Sequence, residues 1–174
     1  PSRASILTGQ YAHRHRIVDN NTAIPPGTRY FSQDLQNAGY RTAFIGKWHM
    51  GNDDTPRPGW NHWISQKGQG EANDPNLNIN GERTQIKGYV TDILIDQAIK
   101  FIQQPRDKPF LLYMAHKALH PNVVQRDDGR VVGGALHAAV PAVVVVLAVG
   151  VVLEVRLVVL VVVGHQVTQG ETVV

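Results

Sequence analysis

Helical spacing of apolar residues is clearest between Tyr89 and Gln104. The apolar residues of this segment recur at i, i+3, i+4 and i+7, which predicts a helix buried along that face. They are Ile95, Ala98, Ile99 and Ile102. Thr28 is a candidate cap for an earlier helix that stops at Gly39. The apolar face of that helix would carry Phe31, Leu35 and Ala38.

Shorter runs predict strands. Tyr40–Ile45 follows Gly39 directly, and Phe110–Met114 is continuously apolar, as expected of a strand buried on both faces of a parallel sheet. Asn80-Gly81 separates two short alternating runs, which indicates a hairpin. Helices alternating with strands in this way predict the α/β class with a mainly parallel sheet.

The segment from Gly51 to Gly70 is rich in Gly, Pro, Asn and Asp. Such a composition favours loops over regular elements, so we expect one long excursion here. Trp60 and Trp63 are its expected anchors in the core.

Beyond residue 130 the composition changes. Valine dominates, and the remaining charged residues are Glu154, Arg156 and Glu171. Three interpretations stand for residues 131–174: a membrane-associated segment over 141–164, a pair of buried strands prone to aggregation, or a non-native sequence such as a reading-frame error. The abrupt loss of aromatic residues, Ile, Ser and Lys favours the last. We therefore predict one catalytic-type domain over 1–130 and a valine-rich, low-complexity tail, non-native or disordered, over 131–174.

Charge and cysteine content limit which classes of partner and ligand the chain can have. The net charge is +3 and the chain has no cysteine, which excludes disulfides and cysteine-ligated metals. No long Lys/Arg run accompanies the basic balance, so nucleic acid is not an expected partner. A mildly basic chain also suits a pocket for an anionic substrate.

The first nine residues, Pro1–Gly9, predict a short helix with Ile6 and Leu7 facing inward. Arg3 would lie in its first turn, where a cation opposes the helix dipole. This position indicates an anionic partner for Arg3, although a surface arginine is the simpler alternative. The loop after this helix carries further cations that could line an anion site or be solvated: His13, Arg14, His15 and Arg16.

The second informative stretch runs from Gly39 to Gly51. We expect the strand to end at Ile45 and Gly46 to turn the chain, so that Lys47 and His49 emerge at the carboxyl end of a strand. Ligands bind at that edge of open α/β sheets. Residues i and i+2 of an extended segment share a side, so both side chains can face one pocket. Lysine offers a compact positive charge, and histidine can donate a hydrogen bond or move a proton.

A third stretch, Pro109–Pro121, repeats this arrangement. The buried strand is followed by polar residues that could bind an anion: His116, Lys117 and His120. His116 could equally be a core histidine.

These three stretches resemble the type I sulfatases. Pro1-Ser2-Arg3 and Leu7-Thr8-Gly9 match the first signature of that family, which reads Cys-x-Pro-Ser-Arg or Ser-x-Pro-Ser-Arg when complete. The segment that begins at Gly39 matches Gly-Tyr-x-Thr-x-x-x-Gly-Lys-Trp-His at every fixed position. The resemblance implies an incomplete alkaline-phosphatase-like sandwich, truncated at both ends.

The resemblance also implies roles for individual residues. Arg3 would steady the formylglycine nucleophile and its metal, and Lys47 would bind a sulfate oxygen and the leaving group. His49 would hold or deprotonate the formylglycine hydroxyl. His120 would bind a sulfate oxygen or protonate the leaving oxygen, and Lys117 and His116 would be further substrate-binding groups. Pro121 follows His120 directly, where many relatives insert a residue.

The nucleophile and the metal ligands are expected to be missing. In the family the formylglycine derives from a Cys or Ser, here two positions before Pro1. The family's calcium is held by an Asp pair near its N-terminus and an Asp-Asn or Asp-Gln pair far downstream. Here the last aspartate is Asp128, and we interpret Asp53-Asp54 as a loop. No metal ligand is therefore predicted within this chain.

The resemblance implies a sulfuric ester hydrolase acting on a small-molecule or carbohydrate sulfate ester, in a periplasmic or extracellular location, with this chain itself inactive. Two alternatives stand beside it. One is a phosphonate or phosphate ester hydrolase of the same superfamily. The other is a non-catalytic anion-binding remnant with a membrane-associated tail.

Overall fold

A computed structural model describes residues 1–116 and, beyond them, four backbone strands at 124–125, 131–132, 144–150 and 158–163. The helices are α1 (Ser2–Thr8), α2 (Ala12–His15), α3 (Phe31–Asn37) and α4 (Val90–Gln103). The strands before residue 116 are β1 (Arg41–Lys47), β2 (His62–Gln66), β3 (Asn76–Ile79), β4 (Glu82–Gln85) and β5 (Phe110–Ala115). The later strands are β6 (Val124–Gln125), β7 (Val131–Val132), β8 (Val144–Gly150) and β9 (Val158–Val163).

Seven strands form one mixed sheet in the order β4-β3-β2-β1-β5-β8-β9. In its centre, β1 pairs in parallel with β2 on one side and with β5 on the other. The flanking pairs are antiparallel. The predicted α/β class is confirmed, and the parallel pairing lies in the central three strands.

The alternating side chains of β1 separate two hydrophobic clusters. Phe44 faces the side covered by α1 and α3, where its ring packs against Trp48, Trp60, Trp63 and Tyr113. Ala43 and Ile45 face the other side, where α4 packs. Helices cover both faces of the sheet, which explains why β1 and β5 are almost entirely buried. The prediction that Trp60 and Trp63 anchor their segment in the core is confirmed.

Helix α4 is confirmed, but the face predicted to be buried is wrong. Ile95, Ile99 and Ile102 are 39%, 44% and 46% exposed, and Ala98 alone of the predicted set is buried. The buried face carries Val90, Ile93, Leu94, Ala98 and Phe101. Both stripes have helical spacing, so periodicity alone could not decide between them. Leu94 and Phe101 fill the space over the sheet.

Two predicted boundaries and one loop assignment are also wrong. Helix α3 starts at Phe31, and Thr28 instead donates its hydroxyl to the carbonyl of Pro25 at 2.6 Å. The backbone N–H of Tyr30 donates to Gln33 Oε1 at 2.9 Å, so a backbone donor at the start of the helix has a partner. Strand β1 continues through Gly46 to Lys47 and does not turn at Gly46.

The segment predicted as one excursion contains β2. Pairing with β1 forms this strand, although its own residues show no alternation that separates it from a loop. The predicted hairpin is confirmed: β3 and β4 pair antiparallel around Asn80 and Gly81, whose φ angles are 53° and 106°. Positive φ at both positions is what a two-residue hairpin turn requires.

The valine-rich runs contribute backbone strands to the sheet. Strand β8 pairs antiparallel with β5, and β9 pairs antiparallel with β8. The domain boundary at residue 130 and the interpretation of the tail stay predictions. Among the described residues, none of the helices has the length and apolarity needed to cross a membrane.

Gly46 allows β1 and β5 to approach closely. Its φ is 129°, and a Cβ built there would lie 1.9 Å from the carbonyl oxygen of Ala115. We predict that Gly46→Ala lowers the free energy of unfolding by at least about 2 kcal/mol, because backbone must shift to make room. Urea unfolding followed by tryptophan fluorescence measures this.

Gly9→Ala is the matched control. Gly9 has a φ of 67° and no atom within 4 Å of the added Cβ, so only left-handed strain of about 1 kcal/mol is expected. Equal losses of unfolding free energy in Gly46→Ala and Gly9→Ala would contradict the steric explanation.

Candidate functional site

Lys47 lies at the carboxyl end of β1, in the middle of the sheet. The residue is 3% exposed although it carries an ammonium group. Burying a charge is costly unless polar groups compensate. The side chain donates from Nζ to Oε1 of Gln69 at 2.5 Å. A buried cation at this edge is the central feature of the candidate site.

The register of the parallel strands brings a second polar residue to the same edge. Lys47 pairs with Gln66 at the end of β2. Gln66 is 1% exposed, and neither its Oε1 nor its Nε2 has a hydrogen-bond partner in the part of the chain described. Neither Gln66 nor Gln69 was identified from the sequence, because the segment carrying them was assigned to a loop. Only the parallel pairing of β2 with β1 places these two residues near Lys47, and the sequence carries no signal for that pairing.

His116 follows the end of β5. Gly46 is paired with Ala115, so Lys47 and His116 are the next residues along neighbouring strands. Burial lowers the pKa of His116, which keeps its ring neutral at pH 7. Within residues 1–116 its buried Nδ1 has no hydrogen-bond partner. A neutral imidazole at this position can donate or accept a proton at a bound anion.

Arg3 lies on α1, over the face of the sheet that carries Tyr113. Burial lowers the pKa of Arg3, and the neighbouring Tyr113 opposes that shift. Burial also raises the pKa of Tyr113 to about 12. Among the described residues, Nε of Arg3 and the hydroxyl of Tyr113 are both buried without a hydrogen-bond partner. The guanidinium stays charged at neutral pH, so this region is electropositive.

His49 lies two residues beyond Lys47 and is half-buried. Its φ is 51°, which is uncommon for a residue other than glycine. Backbone strain of this kind often accompanies functional positions. The structure thus brings Lys47, Gln66 and His116 to one edge by register, with His49 close in sequence and Arg3 on an adjoining helix. Lys117 and His120 lie outside the described residues.

The cation-rich segment after α1 divides into solvated and structural residues. His13, Arg14 and Arg16 are exposed, in agreement with the solvated alternative. His15 differs, because it is 4% exposed. Its Nδ1 accepts from the N–H of Ile17 at 3.0 Å, and its Nε2 lies 2.9 Å from Ser5 Oγ. A ring that accepts at Nδ1 is neutral and protonated at Nε2.

Calcium, which is typical of proteins with these signatures, does not fit the described residues. Asp54 is 2% exposed and forms an ion pair with Arg83. Asp53 accepts from Thr55 and pairs with Arg57 at 3.0 Å. No group of three or more His, Cys, Asp or Glu side chains suited to a metal occurs in the part of the chain that the structure describes. The two aspartates hold the loop and its contact with β4.

The fold and the edge site define an α/β protein with a buried lysine and neighbouring polar groups at the carboxyl ends of parallel strands. The sulfatase family model matches residues 1–133. The N-acetylglucosamine-6-O-sulfatase of Bacteroides thetaiotaomicron is 40% identical over 126 residues. The extracellular sulfatase SULF-1 homolog of Drosophila melanogaster is 32% identical over 137 residues. This chain belongs to the sulfatase family.

Solved structures agree with this assignment. One, in complex with its substrate D-glucosamine-2-N,6-O-disulfate, superposes with a TM-score of 0.64 at 40% identity over 72% of this chain. Another, Ps i-CgsB in complex with k-i-k-neocarrahexaose, gives 0.65 at 25% identity over 74% of this chain. The matched region is 22% of the Bacteroides relative and 12% of the Drosophila relative. The alkaline-phosphatase-like fold and the match to the N-terminal region are thereby confirmed.

We predict that acidification destabilises the fold through His15. Burial, followed by the charge of the N-terminal amine, lowers the pKa of His15 in the folded state. The stabilisation is therefore present above the unfolded pKa of about 6.5 and is lost as pH falls towards the folded pKa. The free energy of unfolding, measured in urea at pH 7 and pH 5, should be smaller at pH 5.

His15→Asn keeps an acceptor for the Ile17 N–H but does not titrate, so its pH dependence should be shallower. His13→Asn, at an exposed neighbour, should retain the pH dependence of the parent chain. Identical slopes for His15→Asn and the parent chain would contradict the assignment.

Proposed function

We propose that this chain forms the sulfate-binding part of a sulfuric ester hydrolase. The supporting observation is the lysine ammonium buried at the carboxyl edge of the parallel strands. Stabilising the charge of a sulfate ester and of its leaving oxygen requires donors that are fixed before the substrate arrives. A lysine held by the ends of β1 and β2 meets that requirement.

Each of the candidate side chains would have a separate role. Lys47 would bind a sulfate oxygen and stabilise the charge that develops on the leaving oxygen. Arg3, half-buried on α1, would steady the formylglycine nucleophile and its metal. His49 would hold or deprotonate the nucleophile hydroxyl, and His116 would be an additional group at the substrate. Lys117 would also bind the substrate, and His120 would bind a sulfate oxygen or protonate the leaving oxygen.

The substrate class we propose is a sulfated carbohydrate. It is supported by the name of the Bacteroides relative, an N-acetylglucosamine-6-O-sulfatase, and by the glucosamine disulfate held in the superposed structure. A phosphate or phosphonate ester is the competing substrate class. The Gly-Lys-Trp-His sequence ending at His49 favours sulfate over these.

Turnover requires two further components. Formylglycine and calcium are typical of the family. The chain has no cysteine, and Asp53 and Asp54 are engaged in ion pairs. We therefore propose that a polypeptide of these 174 residues binds sulfate but does not hydrolyse its esters.

Binding tests the anion site directly. We predict that the chain binds sulfate and that Lys47→Met weakens binding at least about tenfold, because a charge-assisted hydrogen bond contributes about 1.5–3 kcal/mol. Titration calorimetry at constant ionic strength measures both affinities, with phosphate titrated in parallel. The control is Lys108→Met, an exposed lysine beside the amino end of β5, which should bind like the parent chain.

If the parent chain binds neither anion, the proposed site is wrong. Tighter binding of phosphate than of sulfate would favour the competing substrate class.

Hydrolysis is tested separately. We predict no sulfate release from N-acetylglucosamine-6-sulfate or a chromogenic sulfate ester, even after co-expression with a formylglycine-generating enzyme and addition of calcium. Ion chromatography of free sulfate against a buffer blank measures this. Release above the blank that is lost in Lys47→Met would overturn the claim of inactivity.

A further inference from the structure

The turn that follows β2 carries an amide that contacts the proposed sulfate-binding lysine. Gln69 Oε1 accepts from Lys47 Nζ at 2.5 Å, across 22 positions of sequence. We infer that Gln69 is a positioning residue for Lys47, which orients the ammonium for an anion. This inference rests on the proposed function of Lys47.

Strand register determines where the turn begins. Gln66 is paired with Lys47 at the ends of β2 and β1, so the residues after Gln66 leave the sheet beside the lysine. The hydrogen bond from Lys47 to Gln69 lies in the turn that follows. The contact therefore follows from the parallel pairing together with the shape of the turn.

Gly70 gives the turn its shape. Its N–H donates to the carbonyl of Lys67 at 3.0 Å, and its φ is 62°. A Cβ on Gly70 would lie 2.4 Å from Cδ and Oε1 of Gln66. The turn is thus folded tightly back onto the buried Gln66 side chain, and a side chain at this left-handed position would displace the amide of Gln66. This packing fixes the backbone that carries Gln69.

A neutral acceptor suits this task. The lysine side chain has a flexible four-carbon stem, and fixing its ammonium before the anion binds lowers the entropic cost of binding. An amide oxygen uses one of the three ammonium protons and leaves the positive charge in place. A carboxylate at the same position would neutralise the ammonium and compete with sulfate.

Four variants test the inference: Gln69→Ala, Gln69→Glu, Gly70→Ala and the control Gln103→Ala. Gln103 is exposed at the end of α4, which leads to the amino end of β5, at the opposite edge of the sheet. Sulfate affinity is measured by calorimetry, and the thermal unfolding midpoint is measured without sulfate. The acetylation rate of Lys47 by acetic anhydride is followed by peptide mass spectrometry.

Gln69→Ala should weaken sulfate binding about fivefold, as expected for one hydrogen bond, and should speed acetylation of Lys47. Gly70→Ala should act in the same direction although it leaves Gln69 in place. Gln69→Glu should weaken sulfate binding at least about tenfold without lowering the thermal midpoint, because its carboxylate pairs with the ammonium. A residue with a merely structural role would not separate affinity from stability in this way.

Two failures are distinguishable. If the parent chain binds no sulfate but Gln69→Ala still speeds acetylation of Lys47, the contact holds and the proposed function fails. If Gln69→Ala and Gln69→Glu match Gln103→Ala in both sulfate affinity and acetylation, the positioning role of Gln69 is overturned.

Discussion

The parallel pairing of β1 with both β2 and β5 is the constraint on which the site depends. Parallel ladders bring the carboxyl ends of neighbouring strands to one edge, so the residues that end them meet without adjacency in sequence. Lys47, Gln66 and His116 are brought together in this way. Gly46 allows it, because the carbonyl of Ala115 occupies the space that a side chain would need.

The two faces of the sheet support the carboxyl edge through different packing. The face around Phe44 carries a dense aromatic cluster and supports α1, on which the Nε of Arg3 is buried. The opposite face is closed by α4 through Leu94 and Phe101. Because both faces are packed, the strand ends are held rigidly, and the polar residues at the edge are fixed by the core. Preorganisation of this kind gives a charged site its strength.

Histidines in this chain illustrate how one residue type serves different purposes. His15 is buried between Ser5 and Ile17 and joins α1 to α2 as a neutral hydrogen-bonding group. His116 is partly buried at the sheet edge with its Nδ1 unpartnered in the described region. Their sequence contexts do not distinguish these roles. The two roles are distinguished by the number of hydrogen bonds that the fold provides to each imidazole ring.

The sequence alone determined the α/β class, the helix after Tyr89, the Asn80-Gly81 hairpin and the family signatures, because each depends on local spacing or on a fixed motif. Tertiary structure decided which face of α4 is buried, that β1 continues to Lys47, and that His62–Gln66 forms a strand. Each of these depends on a partner distant in sequence. Leu94 and Phe101 are buried only because the sheet lies beneath them, and β2 is a strand only because β1 supplies its hydrogen bonds. Gln66 and Gln69 join the candidate site for the same reason.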